Sequence, residues 1–389
     1  MKDKLSINIL QSRTFRRLKG KKQAFNHQLD DHCRDRMTHS LEVLGIAELI
    51  MDQINNKVTK RNIDIGNKID EKSVRSIALL HDIGHTPYGH VGERELNDIC
   101  NRYMKNILNH NYLNEPLSSN TGFKHNLQGV YILEKIDSKI LDELNKNEKE
   151  IILSGVLNHT SLEYKQNSDL GFYDEFVYNY SKTYIEGNIV YLADEIAQLY
   201  SDFEDALDRK LIHVDKYDEF VTENNPSFEG IRTLIRTAEG LNPGFIFGYL
   251  YEYVLKDLIS NLIKKLNQNN KNQKEIFNPK KLSYKYSSLK EFLSAVILSN
   301  DNVKDEDELG KRIIRLLFDY YYANPNVLKD ETLQKLSDKH NFNKLSELKI
   351  SLSKNELPLN LKIDLIRLIV NHISGMTDHY ATSQYEAIQ

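Results

Sequence analysis

The chain has 389 residues, enough for a large core or for two packed domains. Apolar residues make up 40% and charged residues 28%, an ordinary balance for a globular protein, and a formal net charge of −4 excludes a global attraction to nucleic acid. The two cysteines, Cys33 and Cys100, exclude a disulfide framework and make a reducing cytoplasm the default; the longest apolar stretches, such as LGIAELIM at 44–51, are too short to cross a bilayer, and the N-terminal MKDKLSINIL lacks the apolar segment of a signal peptide.

Helical periodicity dominates from the start, and the expected fold class is all-α. HSLEVLGIAELIMDQI (39–54) places Leu41, Leu44, Ile46, Leu49 and Ile50 on one face. Helices are predicted next over 71–81, 91–108, 125–136, 147–159 and 186–207, then over 247–266, 284–298, 309–322, 343–352 and 360–373. Polar and turn residues cluster as loops at 56–68, 114–123 and 161–175. The Asn-rich 265–280 reads as a linker, and a short strand-like patch lies at 278–288.

One segment stands out from this helical background. HDIGHTPYGH (81–90) packs three histidines and an aspartate into ten residues, broken by Gly84, Pro87 and Gly89. Imidazole and carboxylate together suit a first-row divalent ion. Neighbours on a helix point about 100° apart, so His81 and Asp82 can grip one ion only from a helix end, and Gly84 and Pro87 end the helix there. Upstream, His39 begins an apolar helix. Downstream, Asp194 is a carboxylate inside the apolar VYLADEIAQ, costly unless paired or metal-bound. His39, His81, Asp82 and Asp194 thus form a candidate metal set drawn from three separate helices.

These pieces resemble the HD-domain superfamily of metal-dependent phosphohydrolases, and more narrowly its deoxyguanosine triphosphate triphosphohydrolase (dNTPase) family. The matching segments are RTFRRLKGKKQAF (13–25), RMTHSLEV (36–43), HDIGHTPYGHVGE (81–93), GFKHNLQGVYILE (122–134) and IEGNIVYLADEIAQLYSDFEDA (185–206), in the family's order. The resemblance implies an HD-domain catalytic core over 1–210. The helical region 211–389 is then expected to complete the pocket and carry oligomer contacts. It also implies cleavage of a dNTP at the α-phosphorus to deoxynucleoside and triphosphate, dGTP being one candidate substrate. The implied cofactor is a divalent metal ion, with Mn, Fe, Mg, Ni, Co and Zn all compatible.

Residue roles follow from the same resemblance. His90 is assigned as general acid/base and Glu93 as its orienting partner, their i, i+3 spacing placing both on one side of a helix start. A helix N-terminal acid favoured by the dipole is the plain alternative for Glu93. The glycines at 89 and 92 are expected to let backbone and ligand approach closely. His85 and His125 are expected to line the phosphates, His125 also assisting proton transfer. Gln23 and Asp202 match positions that hold the sugar 3′-hydroxyl, and Arg36 one that contacts the α-phosphate beside the metal. Glu195 and Gln198 depart from one branch, which has a basic residue and a tyrosine there; Tyr251 reads as a core tyrosine, with a stacking ring as the alternative. Six cations in 13–22 read either as a solvated basic face or as contacts to phosphate, to another subunit or to single-stranded DNA. Expected partners are a dNTP substrate, a dNTP activator, single-stranded DNA and further copies of the chain, with no membrane. The competing readings are another HD phosphohydrolase, such as a 5′-nucleotidase or phosphodiesterase, and a non-enzymatic nucleotide or nucleic-acid sensor. Retention of all four metal positions together with His90 and Glu93 argues against the sensor.

Overall fold

The computed structural model describes residues 4–25, 34–61, 69–108, 122–160, 173–224, 232–233, 235–236, 287–354 and 357–389. The described residues are helical, with no strand among them. The helices are α1 (Lys4–Gln11), α2 (Arg13–Arg16), α3 (Arg36–Arg61), α4 (Glu71–Leu80), α5 (Gly89–Leu108), α6 (His125–Tyr131), α7 (Lys146–Asn158), α8 (Asp174–Tyr180), α9 (Ile185–Asp208), α10 (Val214–Asn224), α11 (Ser287–Ser299), α12 (Asp301–Ala323), α13 (Asp330–Lys339), α14 (Leu345–Leu352), α15 (Leu359–Ser374) and α16 (Asp378–Ile388). The all-α expectation is met. The predicted helix at 247–266, Tyr251, the Asn-rich 265–280 and nearly all of the strand-like 278–288 lie outside the described residues. So do most of the loops at 114–123 and 161–175. The loop expected from residue 56 does not start there, because α3 continues to Arg61; residues 62–68 lie outside the described residues.

Caps explain where the central helices start. Asp70 accepts the Ser73 N–H at 3.0 Å and opens α4. Asn145 and Glu148 form a reciprocal capping box on α7, each side chain taking the other's backbone N–H at 3.0 Å. The helices pack as a core in which α3 lies against α4 and α9, and α7 against α4, α6 and α9. The buried face of α3 is Val43, Ile46, Ala47, Ile50 and Ile54, while Leu41 is exposed, so the predicted stripe is rotated by part of a turn. Burial of Val43 and Ala47 against two neighbouring helices decides this, since periodicity alone leaves the stripe's centre open within a wide apolar arc.

The turn after α4 is held from three sides. Gly84 abuts α6 so closely that a Cβ there would stand 1.9 Å from the His125 carbonyl oxygen. Gly92 serves the same end: its Cβ would meet the Pro87 carbonyl at 2.0 Å, so its smallness accommodates the chain's own turn rather than a ligand. Tyr88 and Gly89 both take positive φ, 61° and 60°. For tyrosine this is strained, and Asp378 at the start of α16 secures it by accepting the Tyr88 N–H at 2.8 Å. Asp378 also accepts the Lys22 N–H at 2.8 Å. Lys21 is buried and its ammonium donates to the His85 carbonyl and, at 2.8 Å, to that of Ser374. The last helices therefore position the histidine-rich turn directly.

Candidate metal centre

The helix ends converge on one buried cluster. His81 caps the C-terminus of α4 and donates Nδ1–H to the Ala78 carbonyl at 2.7 Å. A carbonyl only accepts, so His81 Nε2 keeps its lone pair in the neutral ring. That atom is buried and has no hydrogen-bond partner. It lies 3.7 Å from Asp194 Oδ1 and 3.7 Å from Asp82 Oδ1. His39, from the first turn of α3, has Nε2 2.9 Å from Asp194 Oδ1, contributed by α9. One ligand atom each from His39, His81 and Asp194 lie within 4.8 Å of one another. An oriented imidazole with an orphaned inward nitrogen beside a carboxylate is the donor arrangement of a divalent-metal ligand set.

Asp82 stands beside this trio and is shared. Its Oδ2 accepts from Arg36 Nη1 at 2.7 Å, and its Oδ1 is 3.3 Å from His85 Nε2. Burial raises the cost of its charge, but His85, Arg36 and His81 around it hold its carboxyl well below the usual range. Burial likewise opposes ionisation of Asp194, and its hydrogen bond from His39 outweighs that and holds it low. His39 is the mirror case: burial disfavours its charge, and the Asp194 bond outweighs burial and raises it. His85 is pushed well below the ordinary imidazole range by burial and by the Arg36 charge. A neutral His85 stacks on His125 with ring centroids 3.8 Å apart.

Glu93 sits differently from expectation. Its Oε2 is 2.5 Å from His125 Nδ1 and 3.9 Å from His90 Nδ1. The stack on His85 holds the His125 ring against Glu93, whereas His90 has a side chain 56% exposed. Burial works against the Glu93 charge, but His125 prevails and keeps the carboxyl well below its usual value. His125 Nε2 in turn meets His159 Nε2 at 3.2 Å. His159 closes α7 and is buried; burial, then the charges of His81 and His125, take it down to about 3. His159 was not singled out in the sequence. The available signal was an isolated histidine in LNHT at the end of a well-capped helix whose second half is buried all round.

A cleft opens beside the cluster, lined by Gln23, Arg36, His90, Arg94, Gln198 and Asp202 among others. Arg36 joins the two, with one face on Asp82 and the other on the cleft. Gln23 Oε1 is buried without a partner. Glu195 is not in that lining; it pairs with Lys290 at 2.8 Å. The basic run at 13–22 is not simply a solvated face, since Lys21 is buried and the Lys22 side chain, 6% exposed, pairs through its ammonium with Asp307 at 2.9 Å. Burial brings Lys21 down to about 7.

Asp202 carries a testable consequence. Burial, then the Asp205 charge, raise its carboxyl to about 7, while Lys290 pulls the other way. An acid with a folded value above its unfolded value, about 4, binds more protons when folded, so stability falls as pH rises from about 4 to about 7. Asp202→Asn is therefore expected to raise the Tm of the ligand-free protein at pH 8, with the gain vanishing near pH 4. A melting series giving equal Tm differences at both ends would contradict this.

Comparisons with known proteins bear on what this cluster is. Residues 36–199 match the HD domain, which spans His39 to Asp194. This chain contains an HD domain. A second match, to the phosphohydrolase-associated domain, covers residues 276–345 of this HD-domain chain. Relatives named deoxyguanosinetriphosphate triphosphohydrolase-like protein are similar over nearly its whole length. The one from Bartonella henselae is 28% identical over 97% of this chain and 86% of its own. That from Rickettsia typhi is 26% identical over 98% and 89% respectively. That from Leptospira interrogans is 26% identical over 98% and 87%. Among the described residues, no helix of the HD-domain chain is long and apolar enough to cross a membrane.

Proposed function

We propose that the protein is a metal-dependent dNTP triphosphohydrolase. A water oxygen bonds to the α-phosphorus, the bond to the 5′-oxygen breaks, and deoxynucleoside and intact triphosphate leave. The observation that carries this reading is Arg36, which holds Asp82 at 2.7 Å and also lines the cleft where Gln23, His90 and Asp202 lie. His39, His81, Asp82 and Asp194 would hold the ion. When bound, it supplies a water of lowered pKa and a polarised phosphate.

The remaining roles belong to side chains. Arg36 neutralises charge on the α-phosphate as well as on Asp82. Arg94, on the cleft wall, faces the rest of the triphosphate. His90, exposed and 3.9 Å from Glu93, is placed to give the 5′-oxygen its proton. His85 is too buried to reach a phosphate without rearrangement, and its part is to brace Asp82 and His125. Asp202 and Gln23 hold the 3′-hydroxyl. Residues 1–210 form the catalytic core in this reading, and 211–389 complete the pocket, supported by Ser294, Val303 and Asp307 in the cleft lining. The relatives' printed name makes dGTP the first substrate to try.

Product analysis tests the reading. Incubated with each dNTP and Mn²⁺, alone and with other dNTPs added as activators, the protein is expected to yield deoxynucleoside and triphosphate. Monophosphate with pyrophosphate, or diphosphate with phosphate, would remove it. Sugar recognition is tested separately. A 2′,3′-dideoxy triphosphate leaves the Asp202 carboxylate without its partner, a loss of about 1–3 kcal/mol. The expected drop in kcat/KM is roughly 10- to 100-fold, shrinking sharply in Asp202→Ala. Equal hydrolysis of deoxy and dideoxy substrates by the wild type would reject the assignment.

A further inference from the structure

Asp378, the first residue of α16, is 7% exposed and stands behind the cleft rather than in its lining. Its two carboxylate oxygens are divided between segments far apart in the chain. Oδ2 accepts the Lys22 N–H at 2.8 Å, and Oδ1 accepts the Tyr88 N–H at 2.8 Å. Gln23 follows Lys22 directly and His90 follows Tyr88 by two residues, and both line the cleft. The two segments also touch. A Cβ on Gly89 would stand 3.4 Å from the Gln23 carbonyl oxygen and 3.6 Å from that of Lys22.

Tyr88, at φ 61°, is where this tie matters. A bulky residue keeps a left-handed backbone only where its surroundings hold it there, and the conformation at Tyr88 and Gly89 sets the direction in which the chain enters α5 with His90. The Tyr88 hydroxyl meets Thr382 Oγ1 at 2.9 Å, and its ring packs on Gly310 of α12, where a Cβ would come within 2.9 Å. Those contacts fix the side chain; the Asp378 carboxylate holds the backbone. Two N–H donors need two acceptor oxygens, and a carboxylate is the side chain that offers two acceptors and no donor. We infer that Asp378 is a positioning residue for the proposed reaction, holding Gln23 on the sugar side and His90 on the proton side at a fixed separation. The inference rests on the function proposed above, and it gives the far end of the chain a part in setting the cleft.

The test reads amide exchange and rate together in the full chain. Asp378→Ala is made alone and with His90→Ala; Asp378→Asn, which keeps one acceptor oxygen, serves if the alanine variant does not fold. Hydrogen exchange at the Lys22 and Tyr88 amides is expected to speed up by about 10-fold or more in Asp378→Ala, at one of the two in Asp378→Asn, and at neither in His90→Ala. Single-turnover hydrolysis at saturating dNTP is expected to fall about 10²-fold with metal content unchanged, the cost of displacing a reacting group by about 1 Å. In the His90→Ala background the same substitution is expected to cost little more, because an absent imidazole cannot be misplaced. An equal fall in both backgrounds, or unchanged exchange in a folded Asp378 variant, overturns the assignment. Wild-type products other than deoxynucleoside and triphosphate overturn the reaction reading instead, and exchange then decides the clamp by itself.

Discussion

Asp82→Asn is expected to strip the protein of metal and to reduce dNTP hydrolysis by at least about 10³-fold, the several kcal/mol that water activation and phosphate polarisation supply. Asp82 carries this weight because no other carboxylate in the cluster serves so many groups. Arg36 lies on one oxygen at 2.7 Å, while the other is 3.3 Å from His85 Nε2 and 3.7 Å from His81 Nε2. The amide preserves shape but removes the charge that Arg36 neutralises. A buried guanidinium without its partner costs about 3–5 kcal/mol, so a lower Tm is expected as well. Elemental analysis on protein shown by circular dichroism to be folded separates the two effects. A folded Asp82→Asn that keeps its ion and its rate would mean that Asp82 is only a partner for Arg36.

His90→Ala and Glu93→Gln are expected to keep their metal and lose about 10²- to 10⁴-fold in kcat, the usual contribution of general acid–base catalysis. The geometry ranks them. Glu93 is bonded to His125 at 2.5 Å and only distantly to His90 at 3.9 Å, so Glu93→Gln disturbs two imidazoles and should be the worse variant. The double variant should add little to Glu93→Gln, because residues that act as a unit are not additive. Single-turnover rates beside metal content decide the matter. If His90→Ala loses metal as completely as Asp82→Asn, His90 is a ligand. If it keeps full activity, the proton passes through His125 instead.

The sequence by itself determined the helical class, most helix spans in the described residues and the candidate ligands, because each is written in local pattern. Apolar period sets a helix, Gly84 and Pro87 stop it, and a carboxylate such as Asp194 in an apolar run announces a cost that must be met. Tertiary structure alone decided which of these groups meet. His159 joined the cluster because α7 ends beside α4 and α6, which no spacing between residues 81 and 159 encodes. Glu93 turned to His125 because the His85 stack fixed that ring. Lys21 went inward because the end of α15 offered the Ser374 carbonyl, and Lys22 because α12 offered the Asp307 carboxylate. Periodicity reports which side of a helix is apolar; the identity of the neighbour on that side depends on how helices far apart in the chain pack together, and buried polar atoms then take whichever partners the packing brings within reach.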